Sequence, residues 1–266
     1  MTMSAGSTDS TIAPIVAGRR SRLDFARRVP GRSRLQILWF DVGEKFCRFM
    51  LWLLYRFHIE GEERVPASGA TLFVCNHQSF LDPVISGCPI VDRQLTAIAR
   101  ESLFRFPPLA WLMRSYGAIA IKDDGGDAGA MKAALQELAA GRCVLIYPEG
   151  SRSDDGSIAE FKRGAGLLIR RARATVVPMA LEGATDVWPP SRRLPSLRGR
   201  LAVKVGEPIA PDDLLKDGAE AALDRVRGEV IRLRAELRAE MLRRSHGRWP
   251  KAGGAASTVA TDPATR

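Results

Sequence analysis

Two short polar stretches, each directly after an apolar run, hold the residues best suited to chemistry. The first is NHQSFLD, Asn76 to Asp82, which follows TLFVC. It carries one of the chain's three histidines, His77, with a carboxylate, Asp82, five positions later. A carboxylate in reach of an imidazole holds a proton on one ring nitrogen and leaves the other to act as a base near neutral pH. The same aspartate precedes Pro83, the pattern of a helix start with Asp as N-cap and Pro in the first helical position. The spacing supports both readings: a strand-end histidine beside a capping aspartate, or a base with its orienting carboxylate. Asn76 and Ser79 flank the pair as structural neighbours.

The second stretch is YPEGSRSDDGSIAEFKRGAG, residues 147–166, at the end of CVLIY. Loops beyond strand ends are where open α/β sheets bind ligands. Glu149, Gly150, Ser151, Arg152 and Lys162 are its candidates. Arg152 can fork onto phosphate oxygens, and the amides of a following helix start add donors. Gly150 lets the backbone approach a ligand closely. Taken alone, the stretch also fits a solvated charged loop. Its GAG, followed by LLI, does not complete G-x-G-x-x-G, and the chain holds no Walker A sequence and no G-x-S-x-G elbow. The four cysteines, Cys47, Cys75, Cys88 and Cys143, form no C-x-x-C and sit among apolar neighbours. Buried free thiols in a reducing compartment are expected, not a zinc or disulfide framework.

An alternating pattern must position these two stretches. Short apolar runs read as strands: ATLFVCN, LTAIA, GAIAI, CVLIY, TVVPMAL and LAVKVG. Helical patterns fall between them at 83–87, 107–116, 128–139 and 164–173. That alternation predicts an α/β domain with a central sheet. A charged helix with one apolar stripe, Leu223, Val226, Val230, Leu233, Leu237 and Met241, is predicted over about 218–245. The chain of 266 residues, 45% hydrophobic, suffices for one sizeable domain plus extensions.

Residues 35–57, LQILWFDVGEKFCRFMLWLLYRF, have a different character. Asp41, Glu44, Lys45 and Arg48 fall on one narrow helical stripe, and the rest of the circumference is apolar. Such a helix is buried or lies in lipid. An interfacial helix anchored by two tryptophans and flanking arginines is the expected reading, with a plain packing helix as the alternative. No stretch of about 20 uncharged apolar residues predicts a conventional spanning helix. The first 30 residues carry no apolar core, so no secretory signal is expected. The net charge of +10 favours anionic partners. A non-enzymatic basic protein would use that charge on membrane or nucleic acid. The basic residues are not interleaved with aromatics and no nucleic-acid fold signature appears, so nucleic acid is not an expected partner.

In order along the chain, these blocks resemble the glycerolipid acyltransferase family, whose best-known members acylate lysophosphatidic acid. His77 and Asp82 match its H-x-x-x-x-D motif. GAIAIKDD, Gly117 to Asp124, matches a second block, YPEGSRS with FKRGA a third, and VVPMALEG, centred on Pro178, a fourth. The likeness covers about residues 60–210. It implies an α/β acyltransferase domain with a mixed central sheet flanked by helices over 59–245. Composition leads to the expectation of a disordered basic tail, 1–32, and an amphipathic membrane-associated segment, 33–58, before that domain, with a disordered tail, 246–266, after it.

The reaction implied is transfer of an acyl group from acyl-CoA or acyl carrier protein to a lysolipid hydroxyl, with no cofactor, at the cytoplasmic face of the cell membrane. His77 would take the hydroxyl proton and Asp82 would fix its tautomer. Lys122, Arg152 and Lys162 would hold the acceptor's anionic group, with Glu149, Gly150 and Ser151 beside them. Glu149 would orient Arg152 or bind a glycerol hydroxyl. Backbone amides near the histidine turn, or Arg152, would stabilise the oxyanion. Where many members end the second block in arginine, this chain has Lys122, followed by Asp123 and Asp124. Lysine supplies charge without a bidentate fork. The acceptor therefore stays open between 1-acyl-glycerol-3-phosphate and another lysolipid, such as a lyso-aminolipid without phosphate.

Overall fold

The computed structural model describes residues 33–252 except Val91, Asp92, Gln94, Ala97, Gly117 and 122–125. The strands are β1 (His58–Glu60), β2 (Thr71–Cys75), β3 (Leu95–Thr96), β4 (Ile98–Arg100), β5 (Ile119–Ile121), β6 (Cys143–Ile146), β7 (Thr175–Glu182) and β8 (Ala202–Val205). The α-helices are α1 (Arg34–Tyr55), α2 (Asp82–Gly87), α3 (Pro107–Ser115), α4 (Gly126–Ala139), α5 (Arg163–Ala172), α6 (Ala184–Val187), α7 (Pro211–Leu214) and α8 (Gly218–Arg244).

Six strands form one sheet in the order β1-β8-β7-β2-β6-β3. All neighbours are parallel except β7 and β8, so the sheet is mixed. Its central strands are apolar on successive residues because both faces are covered. Phe73 and Cys75 of β2 face a core that includes Leu51 and Tyr55 of α1 and Ile85 of α2. Leu72 and Val74 face the opposite core, built from α4, α5 and α8. The stripe predicted on α8 is buried as one face.

Two details depart from the sequence pattern, and a third, a proline within an expected strand, is accommodated locally. LTAIA is not one strand: β3 joins the main sheet, whereas β4 pairs with β5 in a separate two-stranded sheet. β1 carries no apolar run and gave no signal; it is three half-buried residues pairing with β8 at the sheet edge. Pro178 lies inside β7 opposite Val74 of β2, where a proline removes a ladder bond. The loss falls on the edge facing Gly206, whose own N–H donates to the Pro178 carbonyl at 2.8 Å.

The chain also stays on the domain after residue 245, contrary to the expected tail from 246. Asp186 accepts from the amides of Lys251 and Ala252 at 2.7 and 2.9 Å, and Arg238 donates to the Ala252 carbonyl. This docking uses backbone amides, which composition does not reveal. Residues 1–32 and 253–266 lie outside the described residues.

Helix α1 begins with a capping box between Ser33 and Gln36. Three of its four stripe charges, Asp41, Glu44 and Arg48, turn toward the domain, while Lys45 is exposed. Glu44 is buried with Ile37, Leu51 and Tyr55, and Arg48 forks onto Glu62 at 3.2 and 2.9 Å. Trp39, Phe46, Phe49, Trp52 and Leu53 are left exposed. This inverts the usual surface helix, whose apolar stripe faces the core. No helix among the described residues is long and apolar enough to cross a membrane.

Candidate active site

Where β2 ends, a set of backbone tethers fixes the next turn. Asn76 is fully buried and pins the turn to β7: its Nδ2 donates to the Leu181 carbonyl at 3.1 Å, and its Oδ1 accepts from the Leu181 amide at 2.9 Å. The His77 amide donates to Glu149 Oε1 at 2.7 Å, and the Ala159 amide donates to Glu149 Oε2 at 2.9 Å. The Ser153 amide donates to the His77 carbonyl at 2.9 Å. The turn after β2 and the loop after β6 therefore clamp each other. Parallel pairing of β2 with β6 brings both strand ends to one edge of the sheet.

His77 and Asp82 are in contact, with Nδ1 and Oδ2 2.7 Å apart. Asp82 is not an N-cap. The cap position is Leu81, without a side-chain cap, and Asp82 is the first helical residue, ahead of Pro83. Its carboxylate points back instead, where Oδ2 also accepts from the amides of Gln78 and Ser79. A single oxygen thus collects three donors, while Oδ1 is buried without a hydrogen-bond partner among the described residues. Burial pushes the Asp82 carboxyl up, against the pull of His77 and the two amides. Burial likewise pushes Glu149 up.

The imidazole is positioned by stacking as well as by charge. Tyr147 lies parallel to it, centroids 4.2 Å apart and planes 15° apart. Burial pushes the Tyr147 phenol well above its ordinary value, so it stays protonated. The His77 side chain keeps 20% of its surface exposed while Asp82 keeps none. Beside it, Ser79 Oγ donates to the Trp188 carbonyl at 2.7 Å, and the Trp188 and Phe80 rings are 5.2 Å apart. The Arg152 guanidinium rests 3.7 Å above the Phe80 ring.

Other expected site residues are distributed around this core. Glu149 accepts one backbone amide on each oxygen, and Arg152 is not among its partners in the described residues. Gly150 has φ +74°, and a Cβ there would lie 2.4 Å from Lys162 Nζ, so the glycine makes room for the lysine stem. Ser151 is exposed, and Lys162 precedes the first turn of α5. Pro178 sits in β7, two strand positions after Val176 and beside the β2 end. Lys122 lies outside the described residues. The amides of His77, Gln78 and Ser79 all donate to carboxylates, which removes them as oxyanion donors.

Sequence reading did not single out Tyr147, Phe80 and Trp188. The first two stand inside the two quoted stretches. Trp188 comes from the loop after α6, and no spacing connects it to His77. Among the described residues, no three His, Cys, Asp or Glu side chains gather as a metal site. An open cavity of about 500 Å³, lined by Phe104, Pro107, Ala110, Trp111, Arg114 and Ser115, belongs to α3 and shares no residue with the His77 group.

Comparison with known proteins gives this geometry relatives. A family model described as Acyltransferase matches residues 56–182. The chain is 29% identical over 171 residues to the chloroplastic 1-acyl-sn-glycerol-3-phosphate acyltransferase LPAT1 of Arabidopsis thaliana, covering 63% of this chain and 48% of the relative. It is 32% identical over 193 residues to 1-acyl-sn-glycerol-3-phosphate acyltransferase alpha of Ovis aries, covering 68% and 64%. The chain thus spans about half the length of the plant relatives it matches. The crystal structure of the 1-acyl-sn-glycerophosphate acyltransferase PlsC from Thermotoga maritima shares the fold, with a TM-score of 0.65 and 24% identity over 83% of this chain and 86% of that one. The match runs from the end of α1 to the end of β7, and over these residues the chain is similar to the acyltransferase family and to the curated relatives above.

Proposed function

We propose that the chain transfers a fatty acyl group from an acyl thioester to the free hydroxyl of 1-acyl-glycerol-3-phosphate, giving phosphatidic acid. The observation that carries this reading is the His77–Asp82 contact at 2.7 Å, at the mouth of a turn that also holds Arg152. Asp82 keeps the proton on Nδ1 and leaves Nε2 as the base. As the acceptor oxygen attacks the thioester carbon, its proton passes to Nε2. The tetrahedral intermediate then expels the thiolate, which takes that proton back from the imidazolium. No enzyme nucleophile is needed, because the acceptor hydroxyl attacks directly. Arg152, with Lys122 and Lys162, holds the acceptor's phosphate. With the amides of His77, Gln78 and Ser79 occupied, Arg152 also serves as the oxyanion donor.

The donor is acyl-CoA or acyl carrier protein. The outward apolar face of α1 docks the enzyme on an anionic bilayer surface at the cytoplasmic face of the membrane, where both substrates' chains reside. The inward charged stripe of α1 supports this docking. His77→Ala should lower turnover of long-chain acyl thioester with lysophosphatidic acid by about 10²- to 10⁴-fold while the fold persists. Substantial residual turnover would sink the mechanism. A panel that adds a lyso-aminolipid and other phosphate-free lysolipids tests the acceptor: Arg152→Lys should raise KM for phosphate-bearing members alone.

A further inference from the structure

Helices α1 and α3 are locked together by aromatic side chains. Gly43 of α1 permits the closest contact: a Cβ there would stand 1.5 Å from the Tyr116 hydroxyl. The Tyr116 ring lies 5.5 Å from Phe40 and 6.1 Å from Trp39. Trp39 Nε1 donates to Ser115 Oγ at 3.0 Å, and its ring meets Trp111 edge-on at 5.9 Å. These contacts fix Trp111 on the same side as the outward face of α1. The aromatic pair does not bury itself, however. Trp39 is 41% exposed, Trp111 63% and the neighbouring Phe106 64%.

Charge accompanies the aromatic residues. Arg105 and Arg114 are exposed, and the Arg114 guanidinium sits 5.4 Å from the Phe104 ring centroid. Pro107, Ala110, Trp111 and Arg114 recur at helical spacing on one face of α3, and the same four line the open cavity there. Tryptophan and phenylalanine with flanking arginines suit the headgroup level of a bilayer, where rings sit in the apolar boundary and guanidinium groups meet lipid phosphate.

We infer that α3 is a second lipid contact: Phe106 and Trp111, with Arg105 and Arg114, rest on an anionic bilayer beside the outward face of α1. The membrane-facing surface is then a two-helix platform, fixed at the Trp39–Trp111 contact and continuous across it. A platform of two elements sets the tilt of the domain, which a single helix lying in the interface leaves free to roll. The inference rests on the docking role proposed for α1.

The test uses the full chain and vesicles of phosphatidylglycerol in phosphatidylcholine. A double variant, Phe106→Ser with Trp111→Ser, should bind these vesicles about tenfold more weakly, with unchanged circular dichroism and sedimentation mass. A single Trp111→Phe variant should lose part of the tryptophan emission that tail-brominated lipid quenches in the wild type. Wild-type vesicle affinity in the double variant, with no quenching share for Trp111, would overturn the inference. If Trp52→Glu in the same assay still abolishes binding, the role of α1 survives that result. Wild-type protein that ignores the vesicles defeats both. A change of sedimentation mass without loss of vesicle binding would mean that a second copy of the chain covers α3, and would also overturn it.

Discussion

At the end of β2, a carboxylate with no exposed surface, Asp82, is surrounded by donors; on α1, a carboxylate almost as deeply buried, Glu44, faces the domain while tryptophans face outward. Burial pushes both carboxyls up. Their surroundings differ. Three donors converge on one Asp82 oxygen, and two of them are amides of a turn itself tethered to β7 and Glu149. Among the described residues, Glu44 is favoured as a carboxylate by the field of Arg48 and Lys45 on its own helix. Burial at the turn therefore produces a fixed geometry, which chemistry requires. Burial along α1 produces an orientation, because turning the charged stripe inward is what leaves the apolar residues outside.

The sharpest way to break that contrast is at Asp82. Asp82→Asn keeps an oxygen for the amides of Gln78 and Ser79 but no longer fixes the His77 proton. Turnover should fall by about 10⁴-fold, the scale seen when a carboxylate behind a catalytic histidine becomes an amide. Urea unfolding of this variant should stay near the wild type. Asp82→Ala removes the shared acceptor as well and should cost about 3–5 kcal/mol. An Asn variant with full kcat would reduce Asp82 to a structural tie.

On α1, two leucines two residues apart should separate packing from docking. Leu51 is 5% exposed and Leu53 55%. Leu51→Ala should cost about 2–5 kcal/mol in denaturant titration. Leu53→Ala should stay within about 0.5 kcal/mol yet weaken binding to anionic vesicles. Equal stability losses would return α1 to an ordinary packing helix.

A smaller effect is expected at Phe80, which supports Arg152. Phe80→Leu removes the ring face and should raise KM for lysophosphatidic acid about two- to fivefold, with kcat little changed, in steady-state assays. A phosphate-free acceptor should show no such rise. An equal rise for both acceptors would mean that Phe80 contacts the lipid itself.

The turn was more legible in the sequence than the helix, and the reason is physical. His77 and Asp82 are local, and a spacing of five around a strand end leaves few ways for them to avoid each other. What spacing did not reveal was the direction of the carboxylate: Asp before Pro reads as a cap, yet the His77, Gln78 and Ser79 donors outcompete the helix amides. The role of Glu149 was hidden for a related reason, since its partners are backbone amides and every residue carries one. Trp188 reaches Phe80 only because β7 lies next to β2. On α1 the stripe of charge was plain, but a helix apolar around most of its circumference does not show which side the domain takes. Arg48 settled that by pairing with Glu62 across the loop.

The smallest predicted effect concerns Glu149 and takes the form of a slope in pH. Burial holds its carboxyl above the ordinary 4.5, outweighing the amides of Ala159 and His77 that pull it down. In the unfolded chain that carboxyl ionises first. As pH rises past about 4.5 the unfolded state therefore gains, until the folded group ionises as well. The Glu149 contribution is complete below the ordinary value and is lost as pH climbs through the raised one. Glu149→Gln does not titrate and carries only one acceptor oxygen, so its deficit from that lost bond is constant with pH. The stability advantage of the wild type over this variant should thus shrink as pH rises past about 4.5 in paired urea titrations. A gap that widens instead would show that the two amides favour the carboxylate more strongly than burial opposes it. The clamp between the β2 turn and the β6 loop would then be charge-assisted rather than merely hydrogen-bonded.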